Sequence, residues 1–252
     1  MQTTEHPHNK KGVTWKQPAV FAVATIICTV LAIWSVVQAP TEGSPVSGVS
    51  GLYIAAAIYV PLALWFGIWG CLAGYLSCVF MGLFVGYSLD FVLVWALADF
   101  FEGFVPLLVF RSLKSKPSIK LNRPKITYSI NALLIVNLIV SAWALTNSAR
   151  TAFIGTFIVA IVLLIVQAVF EKHKSWFTWL AVGVFAASLV SGLFGVGALV
   201  LFGSVPVEAF STVFFGWVFG DIIVLATLGT MLTVVLTPYI VKAKLYVKGY
   251  FS

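Results

Sequence analysis

Three acidic side chains deep inside predicted membrane spans are the residues of this sequence best suited to chemistry. Asp99 and Glu102 lie in the run 51–110, and Asp221 lies in the run 175–241, all three away from the turns expected at 87–90 and 203–208. A carboxylate at the centre of a bilayer costs roughly 2.5–3.5 kcal/mol on insertion scales, so acids in membrane helices usually face the bundle interior and serve a function. A carboxylate in such a place can bind a proton, a metal ion or a positively charged solute. We therefore expect a ligand or ion site around these acids.

Two tryptophans accompany the acids at the same spacing. Trp95 precedes Asp99 by four residues, and Trp217 precedes Asp221 by four. Residues three or four apart share a helix face, so Asp99 and Glu102 also point the same way. Counted from the outer helix ends, Asp99 and Asp221 lie at similar depths near the bilayer midplane. We predict that these five residues line one ligand-binding site, and their spacing hints at a parallel internal repeat.

The acids have no cationic partner within the apolar runs, because no Lys, Arg or His lies there. Three interpretations stay open: the acids are protonated, since burial disfavours a charged carboxyl; they hydrogen-bond to amides or hydroxyls; or they bind a cation. A purely structural role as buried, hydrogen-bonded acids is the alternative to a ligand site. The candidate hydrogen-bonding residues are Asn131, Asn137, Gln167 and the Thr and Tyr side chains.

No motif typical of an enzyme is present in the sequence. His6 and His8 fall in a polar N-terminal stretch and His173 lies between two lysines, so we expect all three in solvent. The three cysteines have no CxxC spacing and are expected to pack as small residues. We predict no catalytic residue, no cofactor and no metal site.

The composition indicates an all-α membrane protein. Of the 252 residues, 61% are hydrophobic and only 9% are charged, with a mean hydropathy of +1.04. A soluble domain carries about 25% charged residues, which it needs to cover its surface. The outer surface of this chain must therefore face the lipid bilayer.

The basic residues predict the orientation of the chain. All of the 15 Lys and Arg residues except Arg150 fall in four clusters between apolar runs, which is typical of cytoplasmic loops. A nucleic-acid partner is not expected, because no polar folded surface exists to carry a basic patch. The clusters comprise Lys10, Lys11 and Lys16; Arg111, Lys114, Lys116, Lys120, Arg123 and Lys125; Lys172 and Lys174; and Lys242, Lys244 and Lys248.

Apolar runs long enough to cross a bilayer, together with the charge clusters, predict about eight spans with both termini in the cytoplasm. We expect a cytoplasmic N-terminal tail at 1–16, one transmembrane helical domain at 17–241 and a cytoplasmic C-terminal tail at 242–252. The predicted spans are 19–39, three of about 20 residues each within 51–110 divided at 67–70 and 87–90, then 127–147, 151–170, and two within 175–241 divided near 203–208.

Small residues recur every four positions in the third predicted span. Such a ridge lets a neighbouring helix backbone approach closely. Two interpretations stay open: packing between helices of this chain, or docking of a partner subunit. The ridge consists of Gly70, Gly74, Cys78, Gly82 and Gly86, and the last span carries the shorter pair Gly216 and Gly220.

Two stretches together resemble the substrate-binding S components of energy-coupling-factor transporters. The first is YIAAAIYVPLALWFGIWGCLAGY at 53–75, and the second is ADFFEGFVPLLVFR at 98–111. The resemblance implies a multi-pass subunit of a prokaryotic cell membrane that binds a small-molecule or cationic solute. It also implies an energising ATPase and a coupling membrane subunit as partners. A solute-binding or transport subunit is therefore our leading hypothesis.

The C-terminal part resembles a second family. The stretch 188–238, with GWVFGD at 216–221, is similar to the eight-span sensory domains that precede histidine kinases and diguanylate cyclases. This resemblance implies a stand-alone membrane sensory domain that signals to a separate effector. A structural subunit of a larger membrane complex is the third hypothesis.

Overall fold

The computed structural model describes residues 15–38, 50–113 and 121–251. Within these ranges the chain is helical and contains no β-strand. Most of the predicted N-terminal tail, with Lys10 and Lys11, lies outside the described residues, as do Lys114, Lys116 and Lys120 of the largest basic cluster. The sequence also predicts an outside loop at 40–50, of which only Ser50 is described.

Eight helical segments follow one another along the described chain. Three of them contain irregular turns: α4 is interrupted at Ala96, α7 contains a π-helical stretch at Trp179–Ala186, and α8 begins as a 3₁₀ turn and is π-helical at Leu225–Gly229. The segments are α1 Lys16–Gln38, α2 Ala56–Phe66, α3 Ile68–Phe84, α4 Leu89–Ser112, α5 Pro124–Thr146, α6 Arg150–Glu171, α7 Lys174–Leu201 and α8 Val207–Lys242.

Six of these segments are long and apolar enough to cross a membrane, namely α1 and α4 to α8. This is what a multi-pass membrane protein requires. The chain turns within or next to the predicted divisions at 67–70, 87–90 and 203–208, and each turn carries a glycine with positive φ. These are Gly67 between α2 and α3, Gly86 between α3 and α4, and Gly203 between α7 and α8.

The predicted length of about 20 residues for each helix in 51–110 is wrong for α2, which has 11 residues, and high for α3, which has 17. At 1.5 Å per residue α2 is about 16 Å long, roughly half the hydrocarbon thickness. Nearly every α2 side chain is buried, and its sequence is apolar on all sides. Because α2 is enclosed by protein, its length does not have to match the bilayer.

The end of α2 is completed by residues that follow α8. The Val247 amide donates to the Trp65 carbonyl at 2.8 Å, and the Ile68 amide donates to the Tyr250 carbonyl at 2.8 Å. Arg111, near the end of α4, donates to the carbonyl oxygens of Leu64, Val247 and Gly249 at 3.2, 2.5 and 3.1 Å. The segment predicted as a tail therefore packs on the bundle.

The small-residue ridge of α3 packs inside the chain. A Cβ added at Gly70 would lie 2.2 Å from the Ala63 nitrogen of α2, and one at Gly74 would lie 2.8 Å from the Tyr59 ring. One added at Gly82 would lie 2.5 Å from a methyl carbon of Val92 in α4. Helix packing, rather than partner docking, therefore accounts for these three glycines.

The remaining small residues predicted for packing differ in burial and in the space around them. Cys78 is buried, whereas Gly86 lies beyond the end of α3, with φ of 93° and no atom within 4 Å of an added Cβ. Gly86 therefore serves the turn and not the ridge, since only glycine adopts this conformation readily. In α8, a Cβ at Gly220 would lie 2.1 Å from the Gly51 carbonyl oxygen, while Gly216 is partly exposed.

Candidate functional site

The three carboxyl groups that interrupt the apolar runs meet in one buried cluster. Asp99 and Glu102 come from α4, Asp221 comes from α8, and their exposed fractions are 1%, 0% and 2%. Glu102 interacts electrostatically with both Asp221 and Asp99. We call this group of three side chains the acid cluster. The two helices that carry it are separated by more than 90 residues of sequence, as the numbering shows.

Two tyrosines supply hydroxyl donors to the acids of α4. The Tyr53 hydroxyl, just before α2, donates to Oδ2 of Asp99 at 3.0 Å. The Tyr59 hydroxyl, on α2, donates to Oε2 of Glu102. Both tyrosines are buried. The enclosed helix α2 and the residues that lead into it thus place one phenol against each of the two acids of α4.

The Asp221 side of the cluster is bounded by Ser191 of α7 and by Trp217. The Trp217 indole donates to the Ser191 hydroxyl at 3.0 Å. Ser191 interacts with both the Glu102 and the Asp221 carboxyl, and the Trp217 side chain also interacts with Asp221. Ser191 is therefore the polar link between the acids of α4 and α8.

Trp95 and Trp217 lie against each other beside the cluster. Their ring centroids are 6.2 Å apart at an interplanar angle of 75°, which is an edge-to-face contact. The structure therefore brings all five residues of the predicted site into one region. Trp95 ends the first part of α4, and the interruption at Ala96 separates it from Asp99.

Several polar atoms of the cluster have no hydrogen-bond partner. They are Oε1 of Glu102, Oδ2 of Asp221 and Nε1 of Trp95. Within the described ranges, no Lys, Arg or His forms an ion pair with any of the three acids. A buried polar group without a partner is less stable than the same group in water, and an unpaired buried charge is destabilised far more. The cluster therefore needs a neutralising proton or cation.

A small cavity adjoins Asp99. Its volume available to the centre of a water molecule is about 10 Å³, which is room for about one water. It is far smaller than a site for an organic ligand, which measures roughly 300–1,000 Å³. The lining comprises Ser50, Tyr53, Cys78, Met81, Trp95, Asp99 and Trp217.

The acid cluster is not a preformed metal site. Metal sites built from carboxylates require several ligand oxygens that converge on one point. Among the residues that the structure describes, no group of three His, Cys, Asp or Glu side chains could hold a metal ion. A proton has no such requirement, because one carboxyl oxygen binds it.

The amides considered as partners for the acids lie elsewhere. The Gln167 amide donates to Oδ1 of Asn131 at 3.2 Å, and the Asn137 amide donates to the Thr156 carbonyl at 2.9 Å. These bonds join α5 to α6. Tyr53 and Tyr59 instead donate the hydrogen bonds to the acids, in agreement with the prediction that hydroxyl groups are among the possible partners. Ser191 also belongs to this region and is not predicted from the sequence as a partner of the acids.

No family model, no curated protein and no solved structure matches the chain significantly.

Proposed function

We propose that this chain is an integral membrane subunit for solute binding or transport, in which the acid cluster of Asp99, Glu102 and Asp221 binds and releases protons. The observation that carries the proposal is the complete burial of three mutually interacting carboxyls without a cationic partner among the described residues. Chains of such acids serve as proton relays in pumps and transporters.

Electrostatics favours a site that exchanges a cation over a fixed structural cluster. Three buried carboxylates that interact with one another would repel in a low dielectric, so most of them must be neutralised. The free oxygens of Glu102 and Asp221 are available to a proton. The small cavity and the lack of a preformed metal site favour the proton over a metal ion.

The proposal includes a topology and a location. We propose that all eight helical segments belong to the membrane domain, with both termini in the cytoplasm, in a prokaryotic cell membrane. The basic residues where α4 ends and α5 begins, where α6 ends and α7 begins, and where α8 ends support this orientation, with Arg150 at the start of α6 as the exception. The resemblance to S components adds an energising ATPase and a coupling membrane subunit as proposed partners. Co-expression with such proteins and recovery of a stoichiometric complex would test that part.

Proton movement in proteoliposomes tests the proposed site. The purified chain is reconstituted with a pH-sensitive dye in the lumen, and a pH step is applied with valinomycin and potassium present to compensate charge. Each trial is run with and without yeast extract as a mixed source of small solutes. We expect the wild type to change the lumenal pH faster than the variants Asp99→Asn, Glu102→Gln and Asp221→Asn in at least one condition.

Two exposed acids provide matched controls for this experiment. Asp90 and Glu208 are solvent-exposed, so Asp90→Asn and Glu208→Gln remove the same charge without touching the cluster. Both controls are expected to behave as the wild type. Equal rates for the wild type and all three cluster variants, in both conditions, would contradict a transport role.

A membrane sensory domain is the second candidate, and the closure of the site is the observation that favours it. A cavity that holds about one water admits a proton but offers no route for a solute in this conformation. If no flux is seen, a pH-dependent change in tryptophan fluorescence that disappears in Asp221→Asn would support sensing. Trp217 would report such a change because it contacts the cluster.

A further inference from the structure

A groove of ligand size lies away from the acid cluster, at the ends of α5, α6 and α8. Its volume is about 670 Å³, within the range of sites for lipids and drug-sized molecules. Its wall is formed by the loop between α5 and α6, the first turns of α6 and the first half of α8. Neither Asp99, Glu102 nor Asp221 borders this groove.

Four residues of the lining carry polar side chains. Arg150 is the first residue of α6, Ser148 precedes it by two residues, and Ser211 and Thr212 line the groove from the first turns of α8. Arg150 is exposed and forms neither an ion pair nor a hydrogen bond with the part of the chain that the structure describes. The groove therefore offers one free guanidinium and three hydroxyls, which are groups that bind phosphate oxygens.

The lining of the groove changes from polar to apolar along α8. It runs from Ser211 and Thr212 to Phe215 and then Phe219. The eight steps from Ser211 to Phe219 correspond to about 12 Å of helix. The Phe219 ring stacks on Phe157 of α6 at a centroid distance of 4.1 Å, so the wall at Phe219 is aromatic and closely packed. A head-and-tail ligand matches this gradient.

We propose that this groove binds a phospholipid with an anionic head group from the surrounding bilayer. Arg150 and the neighbouring hydroxyls bind the phosphate, and the phenylalanines of α8 contact one acyl chain. The bilayer is the source because Ile154 and Phe215, which line the groove, are also exposed on the outer surface of α6 and α8. The site is separate from the acid cluster and does not depend on its role.

Native mass spectrometry of the purified chain tests this site. The detergent-solubilised protein is incubated with dioleoylphosphatidylglycerol, dioleoylphosphatidylcholine, oleate or glycerol phosphate, and the bound fraction is measured for each. We expect selective retention of phosphatidylglycerol. Arg150→Gln should lower this retention about tenfold, as expected for the loss of a charged hydrogen bond, whereas Arg150→Lys should keep most of it.

Two further variants separate this site from general attraction to basic residues. Arg123→Gln removes an exposed charge at the opposite end of α5 and should leave retention unchanged. Ser211→Trp keeps every charge but fills the groove, and it should abolish retention. Equal retention of both phospholipids, or equal loss in Arg123→Gln and Arg150→Gln, would overturn the site. Tighter retention of oleate or glycerol phosphate than of phosphatidylglycerol would overturn the phospholipid assignment.

Discussion

The hydroxyl of Tyr53 donates a hydrogen bond of 3.0 Å to the carboxyl of Asp99, which lies 46 residues later in the chain. Tyr59 makes the equivalent bond to Glu102. The two bonds tie the enclosed helix α2 to the acids of α4 at two successive points. Any movement of α2 relative to α4 therefore changes the donors available to the acid cluster.

Removal of either phenol hydroxyl should destabilise the protein. Tyr53→Phe and Tyr59→Phe each leave a buried carboxyl oxygen without its donor, which costs about 1–3 kcal/mol. The free energy of unfolding in mixed detergent measures this loss. Tyr239→Phe is the matched control, because the Tyr239 side chain is 67% exposed. The account of the cluster would be contradicted if all three variants were equally stable.

Substitution by phenylalanine should lower the free energy of unfolding by different amounts at the two tryptophans beside the cluster. Trp217→Phe removes the donor of the 3.0 Å bond to Ser191, so it should cost more than the loss of ring area alone. Trp95→Phe removes a buried indole N–H that has no partner. The loss of this unpaired donor is favourable and offsets part of the destabilisation caused by the smaller ring. We expect Trp217→Phe to be the more destabilising by about 1 kcal/mol in the same unfolding measurement. The reverse order would show that the Ser191 bond contributes little.

Gly220 should tolerate no side chain, because an added Cβ would lie 2.1 Å from the Gly51 carbonyl oxygen. The contact is to backbone, so α8 must shift away from the segment that leads to Tyr53. We expect Gly220→Ala to destabilise the protein by about 1–3 kcal/mol. Gly197→Ala is the control, since its Cβ would meet no atom within 4 Å and alanine favours a helix. Equal effects of the two substitutions in thermal unfolding would contradict the close packing of α8.

Arg111 should control the attachment of the C-terminal segment that follows α8. Its guanidinium donates to three backbone carbonyl oxygens, and it also contacts the Tyr246 ring at 4.9 Å from the centroid. A lysine has the charge but not the planar fork, so Arg111→Lys loses most of these bonds. We expect the variant to be cleaved by trypsin at Lys248 several-fold faster than the wild type.

An exposed arginine provides the control for that proteolysis. Arg123→Lys makes the same exchange at a solvent-exposed side chain and should leave cleavage at Lys248 unchanged. Equal cleavage rates for the wild type and Arg111→Lys would show that the segment is held by other contacts, such as the Val247 bond to Trp65.

The acid cluster could be predicted from the sequence because its members are rare residue types in their surroundings. Asp99, Glu102 and Asp221 interrupt apolar runs, and a charged group in such a run must face the protein interior. The equal spacing of the two tryptophans from the acids predicts their place in the site. Tyr53, Tyr59 and Ser191 cannot be assigned to individual acids from the sequence. Aromatic and hydroxyl residues are common in membrane helices, and their hydrogen-bond partners lie far away along the chain.

The divisions between helices could be predicted, but not the length of α2. Gly67 and Gly203 lie within the predicted divisions, whereas Gly86 is predicted in the ridge of α3 and instead forms the turn before α4; each of the three adopts a positive φ, which glycine permits. Hydropathy alone does not distinguish a helix that faces lipid from one enclosed by protein, since both are apolar. The C-terminal segment that completes the end of α2 is polar in sequence and is therefore predicted as a tail.

Infrared spectroscopy of the membrane-embedded chain tests the protonated acid cluster most directly. Protonated carboxyl groups show a carbonyl stretch that carboxylates lack, and the band shifts to lower frequency in D₂O when the proton exchanges. We predict such a band at neutral pH, reduced in Glu102→Gln and in Asp221→Asn but unchanged in Asp90→Asn. A spectrum without this band, or one that none of the cluster substitutions alters, would contradict proton binding by these three acids.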